Sequence, residues 1–319
     1  MEQELETGNV AEQQLQRALT DPSVAPLSTV FKVEELEKLN YIKTPVDAPL
    51  LTMLREKGAV PTATTHYEWT ESTLNTSYSS FKYSAGVISG IDQARGTDVR
   101  ADNHIMSVGQ VVKVSGIAQA IATPDGNAVA LETASKLAQL HLAMEYFLWR
   151  GDHTTNADET DGLQVKITTA VDNGSAVISA VKLQQAIVDA INAGCTPDTL
   201  FCSITVAQAI ANLAQTRIQM VDVNTAQGGI GQQAMFYNTP FGYRIKIVPV
   251  RTSFITATNA YVVDSSLITL RYLGNALTQT KQLASTDDSD SLLMKSYFGL
   301  QVKNASSMRK ITNITEALA

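Results

Sequence analysis

The chain has 319 residues, 44% of them hydrophobic, with 24 Lys and Arg against 31 Asp and Glu and a formal charge of −7. That length predicts two domains or one large one, and that apolar share supplies a core and excludes a disordered chain. The acidic balance argues against a sequence-reading nucleic-acid binder, which carries a basic face, no apolar run nears a membrane span, and the acidic opening is no signal peptide.

Residues 1–30 are polar, and Val33–Leu39 (VEELEKL) predicts a short helix. Within Ile42–Leu54, Pro45 and Pro49 hold the chain extended before a short apolar helix or turn that ends at Gly58. In Thr62–Leu74, Tyr67 and Trp69 alternate with Glu68 and Thr70, the period of a strand. Tyr78–Tyr83 continues extended, Gly86, Gly90 and Gly96 place a tip at about Ala85–Arg100, and His104–Val114 alternates again as the return strand. The sum is a long polar β-ribbon from Thr62 to Val112. A two-stranded ribbon is marginal alone in water, and its edges invite pairing with another chain. A ribbon of this length therefore points to a subunit of an assembly.

Pro124, Asp125 and Gly126 make a turn before a long helix over Ala128–Arg150. Leu131, Ala134, Leu137, Ala138, Leu142, Glu145 and Leu148 recur at three- and four-residue steps, and Leu140, Ala143, Phe147 and Trp149 widen the stripe. So broad a stripe predicts burial on most sides, and Gly151 ends the helix. Asp152–Gly162 is a polar, acidic loop and Val165–Val171 a candidate strand. Val177–Ala193 predicts an amphipathic helix ended by Gly194, Leu200–Ile204 a short buried strand, and Val206–Ile218 a second amphipathic helix. The segment Val223–Tyr237 holds a Gly/Gln loop, AQGGIGQQ, within Thr225–Gln233. Strands follow at Tyr243–Val250, Ala260–Asp264, Leu267–Tyr272, Ser296–Lys303 and Lys310–Ile314. Helices and strands mix without a βαβ rhythm, so the class is α+β.

Candidate chemistry is sparse. Of the four histidines, His66 and His104 lie in the ribbon, His141 in the long helix and His153 in the acidic loop. His141 and Glu145, one turn apart, could share a metal, but no third ligand is near, and an ordinary helix pair is the simpler reading. Cys195 and Cys202 lack zinc-knuckle spacing and read as buried structural thiols of a chain made in a reducing cytoplasm. Asn156, Asp158, Thr160 and Asp161 faintly resemble a calcium loop, but Asp161 stands where glycine is needed and Ile167 where the closing glutamate is needed. Gly228, Gly229 and Gly231 make no dinucleotide fingerprint, GVISG at Gly86–Gly90 is no nucleophile elbow, and no Walker sequence occurs. Nothing brings a nucleophile, base and orienting group together. The expectation is no catalytic, cofactor or metal site, and no enzyme.

Four stretches carry a family resemblance. They are Thr44–Leu54 with its Thr-Pro…Pro-Leu-Leu pattern; Glu68-Trp69 followed by Leu74; Asn103-His104-Ile105 leading to Val114–Ala118; and Glu145…Leu148-Trp149-Arg150-Gly151. The later half follows in order with Gly162-Leu163, the Cys202 strand, Phe241-Gly242 and Asp264. Nearly end to end, the chain resembles the major capsid proteins of tailed double-stranded-DNA bacteriophages with the HK97-type fold, most closely the SU10-like major head protein group.

The resemblance implies an N-terminal arm over residues 1–61, an extended loop over 62–112, a peripheral domain with spine helix over 113–175, an axial domain over 176–264, and a return to the peripheral domain over 265–319. It implies inter-subunit contacts at Pro45, Pro49, Trp69, Phe81, Tyr83, Arg95 and Arg100. It places Gln227, Gly228, Gly229 and Gly231 at the capsomer centre, and Leu137, Leu142 and Trp149 in the spine-helix core. The implied function is self-assembly into the hexamers and pentamers of an icosahedral shell, made in the host cytoplasm, that encloses DNA without sequence-specific binding. Partners would be the chain itself, a portal, decoration proteins, and a separate scaffold, because little sequence precedes Thr44. A cellular nanocompartment shell of the same fold is the alternative, and an α/β enzyme or binding protein a more distant one.

Overall fold

The computed structural model describes residues 46–76, 78, 96–120, 128–213, 218–222, 233–284 and 288–315. Helix α1 spans Pro49–Lys57, with Pro49 in its first turn, where a missing N–H costs nothing, and Gly58 ending it at φ 93°. Strand β1 follows at Val60–Thr62, then β2 (His66–Thr73), β3 (Thr97–His104), β4 (Met106–Ser115) and the short helix α2 (Gly116–Ala120). The long helix α3 covers Ala128–Arg150, as the apolar period predicts. Next come α4 (Leu163–Lys166), β5 (Ala170–Ala176), α5 (Ala180–Asn192), β6 (Thr199–Ser203) and α6 (Ile204–Leu213). The remaining elements are β7 (Ile218–Asp222), β8 (Gln233–Asn238), β9 (Arg244–Val250), β10 (Ala260–Val263), β11 (Ile268–Leu273), β12 (Thr278–Gln282), β13 (Ser289–Val302) and β14 (Arg309–Ile314).

The strands form two sheets and a separate ribbon. The larger sheet runs β5-β14-β10-β6-β9-β8-β7. Its centre is apolar without alternation: every residue of β6 and of β10 is buried, the pattern of strands covered on both faces. The smaller sheet is built on β13, with β4 along one edge. Along the other edge β11 and then β12 pair with successive stretches of β13, and β1 joins β11 in parallel.

Helix α3 ties the two sheets together. Leu140 packs with Val112, Val114 and Met294 of the smaller sheet, and Leu137 lies against that cluster. One turn further on, Met144, Leu148 and Trp149 join the main core. There the Trp149 ring meets Phe201 edge-on at 5.2 Å and Tyr261 at 5.6 Å, both on the larger sheet.

Several expectations are corrected. The helix is not covered on most sides along its whole length: Leu131 is exposed, and Leu137 and Leu142 are half-buried, whereas Leu140, Met144, Glu145, Leu148 and Trp149 are fully buried. The ribbon's return strand is Thr97–His104, and the alternating segment after it is β4, which pairs with β13 instead. The expected strand at Val165–Val171 begins as α4, and β5 starts only at Ala170. The second amphipathic helix is described over Ile204–Leu213, and Ile218 belongs to β7. β8 pairs antiparallel with β7 at the edge of the larger sheet. Within 265–319, β11–β13 lie in the smaller sheet and β14 lies between β5 and β10 of the larger one.

Candidate assembly surfaces

The ribbon is an antiparallel pair in unbroken register from His66 opposite His104 to Thr73 opposite Thr97. Alternation gives it two faces. One carries Tyr67, Trp69 and Glu71 with Asn103, Ala101 and Val99; the other carries His66, Glu68 and Thr70 with His104, Asp102 and Arg100. Only Tyr67 and Asn103 of the two strands are buried. Leu74 is 81% exposed and Val99 55% exposed, so among the described residues these apolar groups toward the outer end are largely uncovered.

Asn103 fastens the root. Its side-chain amide donates to the carbonyls of Leu300 at 2.6 Å and Asp161 at 3.0 Å. Its amide oxygen accepts from the backbone N–H of His104 at 2.7 Å and of Asp161 at 3.0 Å, and from the Thr160 hydroxyl at 3.3 Å. A buried amide so fully satisfied joins ribbon, acidic loop and β13 at one point. Gly299 permits the close approach: a Cβ there would lie 2.7 Å from the His104 carbonyl oxygen and 2.8 Å from the Tyr67 hydroxyl. Further out, Glu71 accepts from the indole N–H of Trp69 and from the backbone N–H of Asn304. Trp69, expected as an inter-subunit contact, is thus half-buried with partners in its own chain, its ring 6.0 Å from Tyr67. Arg100, expected in the tip, stands in β3 with its guanidinium 3.1 Å from Glu68.

The second surface is the arm. Ala48 offers no side-chain cap to α1. The carboxylate of Glu145, fully buried on α3, supplies it from another helix, accepting from the backbone N–H of Leu50 at 3.1 Å and of Leu51 at 2.7 Å. The Trp149 indole N–H donates to the same carboxylate at 2.8 Å. An anion at a helix N-terminus meets orphan donors and the positive end of the dipole. Burial pushes the Glu145 carboxyl up, more than these three N–H donors pull it down. Leu50, Leu51 and Leu54 then fill the core beneath. Asp47 adds an ion pair with Arg251 at 2.7 Å. Glu145, read as part of an apolar stripe, is therefore the group that docks the arm. It leaves no His141–Glu145 metal pair: the His141 ring lies 3.5 Å from the Arg55 guanidinium.

Pro49 is placed in the first turn of α1. Pro45, Phe81, Tyr83, Arg95 and the loop residues Gln227, Gly228, Gly229 and Gly231 lie outside the described residues. In the acidic loop, Asp152 accepts from the N–H groups of Thr154 and Thr155, Asn156 from Asp158, and Asp161 from His153. These oxygens serve the loop's own backbone rather than a calcium cage. Burial pushes the thiol of Cys195 up to about 11 and that of Cys202 to about 12, as structural thiols require. Among the described residues no helix is long and apolar enough to cross a membrane. Sequence reasoning missed one convergence: the register brings His66 and His104 face to face, and His153 stacks on His104. The spacing of two histidines about a ribbon midpoint was the only signal for it.

A family model described as SU10 major capsid protein matches residues 22–315. Among solved structures, the chain is similar to the capsid asymmetric unit of cyanophage A-1(L), with 12% identity, a TM-score of 0.64, and coverage of 93% of this chain and 99% of that one. A Mycobacterium phage Bobi chain matches with 14% identity and a TM-score of 0.59 over 92% and 99% of the two chains. The SrpI encapsulin of Synechococcus elongatus matches with 11% identity and a TM-score of 0.59 over 88% and 94%. No curated protein matches at a significant level.

Proposed function

The chain belongs to the SU10 major capsid protein family, and from that premise we propose that it assembles into the hexamers and pentamers of an icosahedral phage head around double-stranded DNA. It is a major capsid protein with the HK97-type fold, structural in role and part of the virion. In the proposed assembly the β2–β3 ribbon lies over a neighbouring subunit, the arm runs along the shell, and the edge pair β7–β8 faces the capsomer centre. Residues 113–175 with β11–β13 would form the periphery and most of 176–264 the axial part. A separate scaffold, a portal and decoration proteins are the expected partners, and assembly takes place in the host cytoplasm.

The observation that carries this reading is the ribbon itself. Eight register pairs leave the body with two residues buried and Leu74 and Val99 uncovered. A neighbour supplies the missing cover. The −7 charge suits a shell interior that does not grip packaged DNA. Light scattering and negative-stain microscopy of the full chain, alone and with its scaffold, test the proposal. Closed particles support it, and a monomer under every condition overturns it. The encapsulin likeness favours a second reading, a nanocompartment shell. Particles that take up a cargo protein through a short terminal peptide, and no genome through a portal, would decide for it.

A further inference from the structure

Three of the chain's four histidines meet at the root of the ribbon, on the face opposite Tyr67 and Asn103. His66 and His104 are directly opposed across the strands, their ring centroids 4.5 Å apart. Asp102 is two residues from His104 on that face, its carboxylate 3.0 Å from His66 Nε2. The ligand atoms of His66, Asp102 and His104 all lie within 4.8 Å of one another. Zinc bonds of about 2 Å bring tetrahedral donors to about 3.4 Å apart, so small side-chain rotations close this set around one ion.

The surroundings hold the set in place. His104 is stacked face to face on His153 at 3.6 Å, and His153 is fixed by the Glu159 carbonyl at 3.0 Å and by the Asp161 carboxylate, which accepts from its backbone N–H. Lys166 grips the Asp102 carbonyl at 2.9 Å and spends its charge on Asp161 at 2.8 Å. Glu68, paired with Arg100 at 3.1 Å, lies 3.9 Å from Nδ1 of His66.

We propose that His66, His104 and Asp102 bind one divalent transition-metal ion of the Zn2+ class, with water in the fourth position, and so clamp β2 to β3 where the ribbon leaves the body. Two imidazoles and one carboxylate select such ions over Mg2+ and Ca2+, which take oxygen. The ion would stiffen the ribbon beside the Asn103 anchor and set its angle to the body. This rests on the ribbon's geometry and not on the shell reading.

Isothermal titration of ZnCl2 into the tag-free full-length chain tests it, with cobalt spectroscopy in parallel. The expected result is one saturable Zn2+ per chain at micromolar or tighter affinity, a raised melting temperature, and Co2+ visible bands of a four-coordinate site. His66→Ala and Asp102→Asn, both at exposed side chains, should each weaken Zn2+ at least about tenfold with unchanged circular dichroism, since each removes one of three protein ligands. His141→Ala, outside the cluster, should bind as the parent does. Absence of stoichiometric binding, binding that survives His66→Ala, or equal loss in His141→Ala would each overturn the site.

Discussion

Two antiparallel strand pairs in this chain are held by opposite means. β6 and β10 share four register pairs and bury every side chain. β2 and β3 share eight and bury two. Ladder hydrogen bonds contribute only about 0.5–1.5 kcal/mol each, net of water, so pair number does not rank the two. Burial does. The centre of the larger sheet is stable from its own core, while the ribbon depends on its root and on whatever covers its outer face. The body is thereby kept energetically apart from the ribbon, the contact device of the proposed assembly.

The comparison breaks first at Phe201. Its ring is fully buried in β6 against Trp149, so Phe201→Asp places an unpaired charge in the core and should cost about 4 kcal/mol or more. Urea denaturation, or recovery in the soluble fraction, checks it; near-parent stability would mean that the sheet centre is not the source of stability. Next in size is Asn103→Ala. It strips partners from the Leu300 carbonyl and from the N–H groups of His104 and Asp161, at about 2–4 kcal/mol for several buried polar groups. Hydrogen exchange should then quicken in β2 and β3 before the larger sheet. Uniform loss of protection would make Asn103 a core residue rather than a root anchor.

How much of this was legible follows the same division. Where a period is set by one continuous face, the sequence is readable: α3 matches its expected span, and β6 and β10 match their apolar runs. Long-range pairing was not. His104–Val114 alternates like a return strand, yet its partner is β13, some 180 residues on, and period 2 cannot name a partner. β12, TQTKQ, is polar and carries no strand signal of its own; it is a strand because β13 pairs with it. Glu145 falls on the expected apolar stripe, but its use as a cap for a helix 94 residues away is tertiary. The histidine cluster likewise needed the register.

A third and smaller effect sharpens the comparison at the arm, which lies outside both sheets yet is held by a buried carboxylate. Glu145→Gln keeps one acceptor oxygen and loses the other, for about 1–3 kcal/mol. The sign of its pH dependence is set by burial. The folded carboxyl titrates above its ordinary 4.5, so its contribution is full below that value and lost as pH rises through the folded pKa. The parent should therefore lose stability over that range while the Gln variant does not, and the gap between them should narrow as pH increases. Melting curves from pH 4 to 8 decide it; a gap that widens with pH would mean that the N–H donors outweigh burial.

The smallest expected effect on folding is at the ribbon's outer end, and there the separation of body and contact device is most exposed to failure. Leu74 is 81% and Val99 55% exposed, and neither belongs to a core cluster. Replacing both with Ser removes apolar area that is already in water, so stability of the unassembled chain should change by no more than about 0.5 kcal/mol. Assembly should suffer more, because apolar groups covered only by a neighbour contribute through burial at about 25 cal/mol per Å2 in every copy of the contact. Paired measurements on one preparation separate the two quantities: thermal unfolding of the unassembled chain, and light-scattering yield of particles. Unchanged unfolding with reduced yield is the expected result. A large fall in stability would place the ribbon's outer end against its own body, and full yield would mean that these side chains never meet a neighbour.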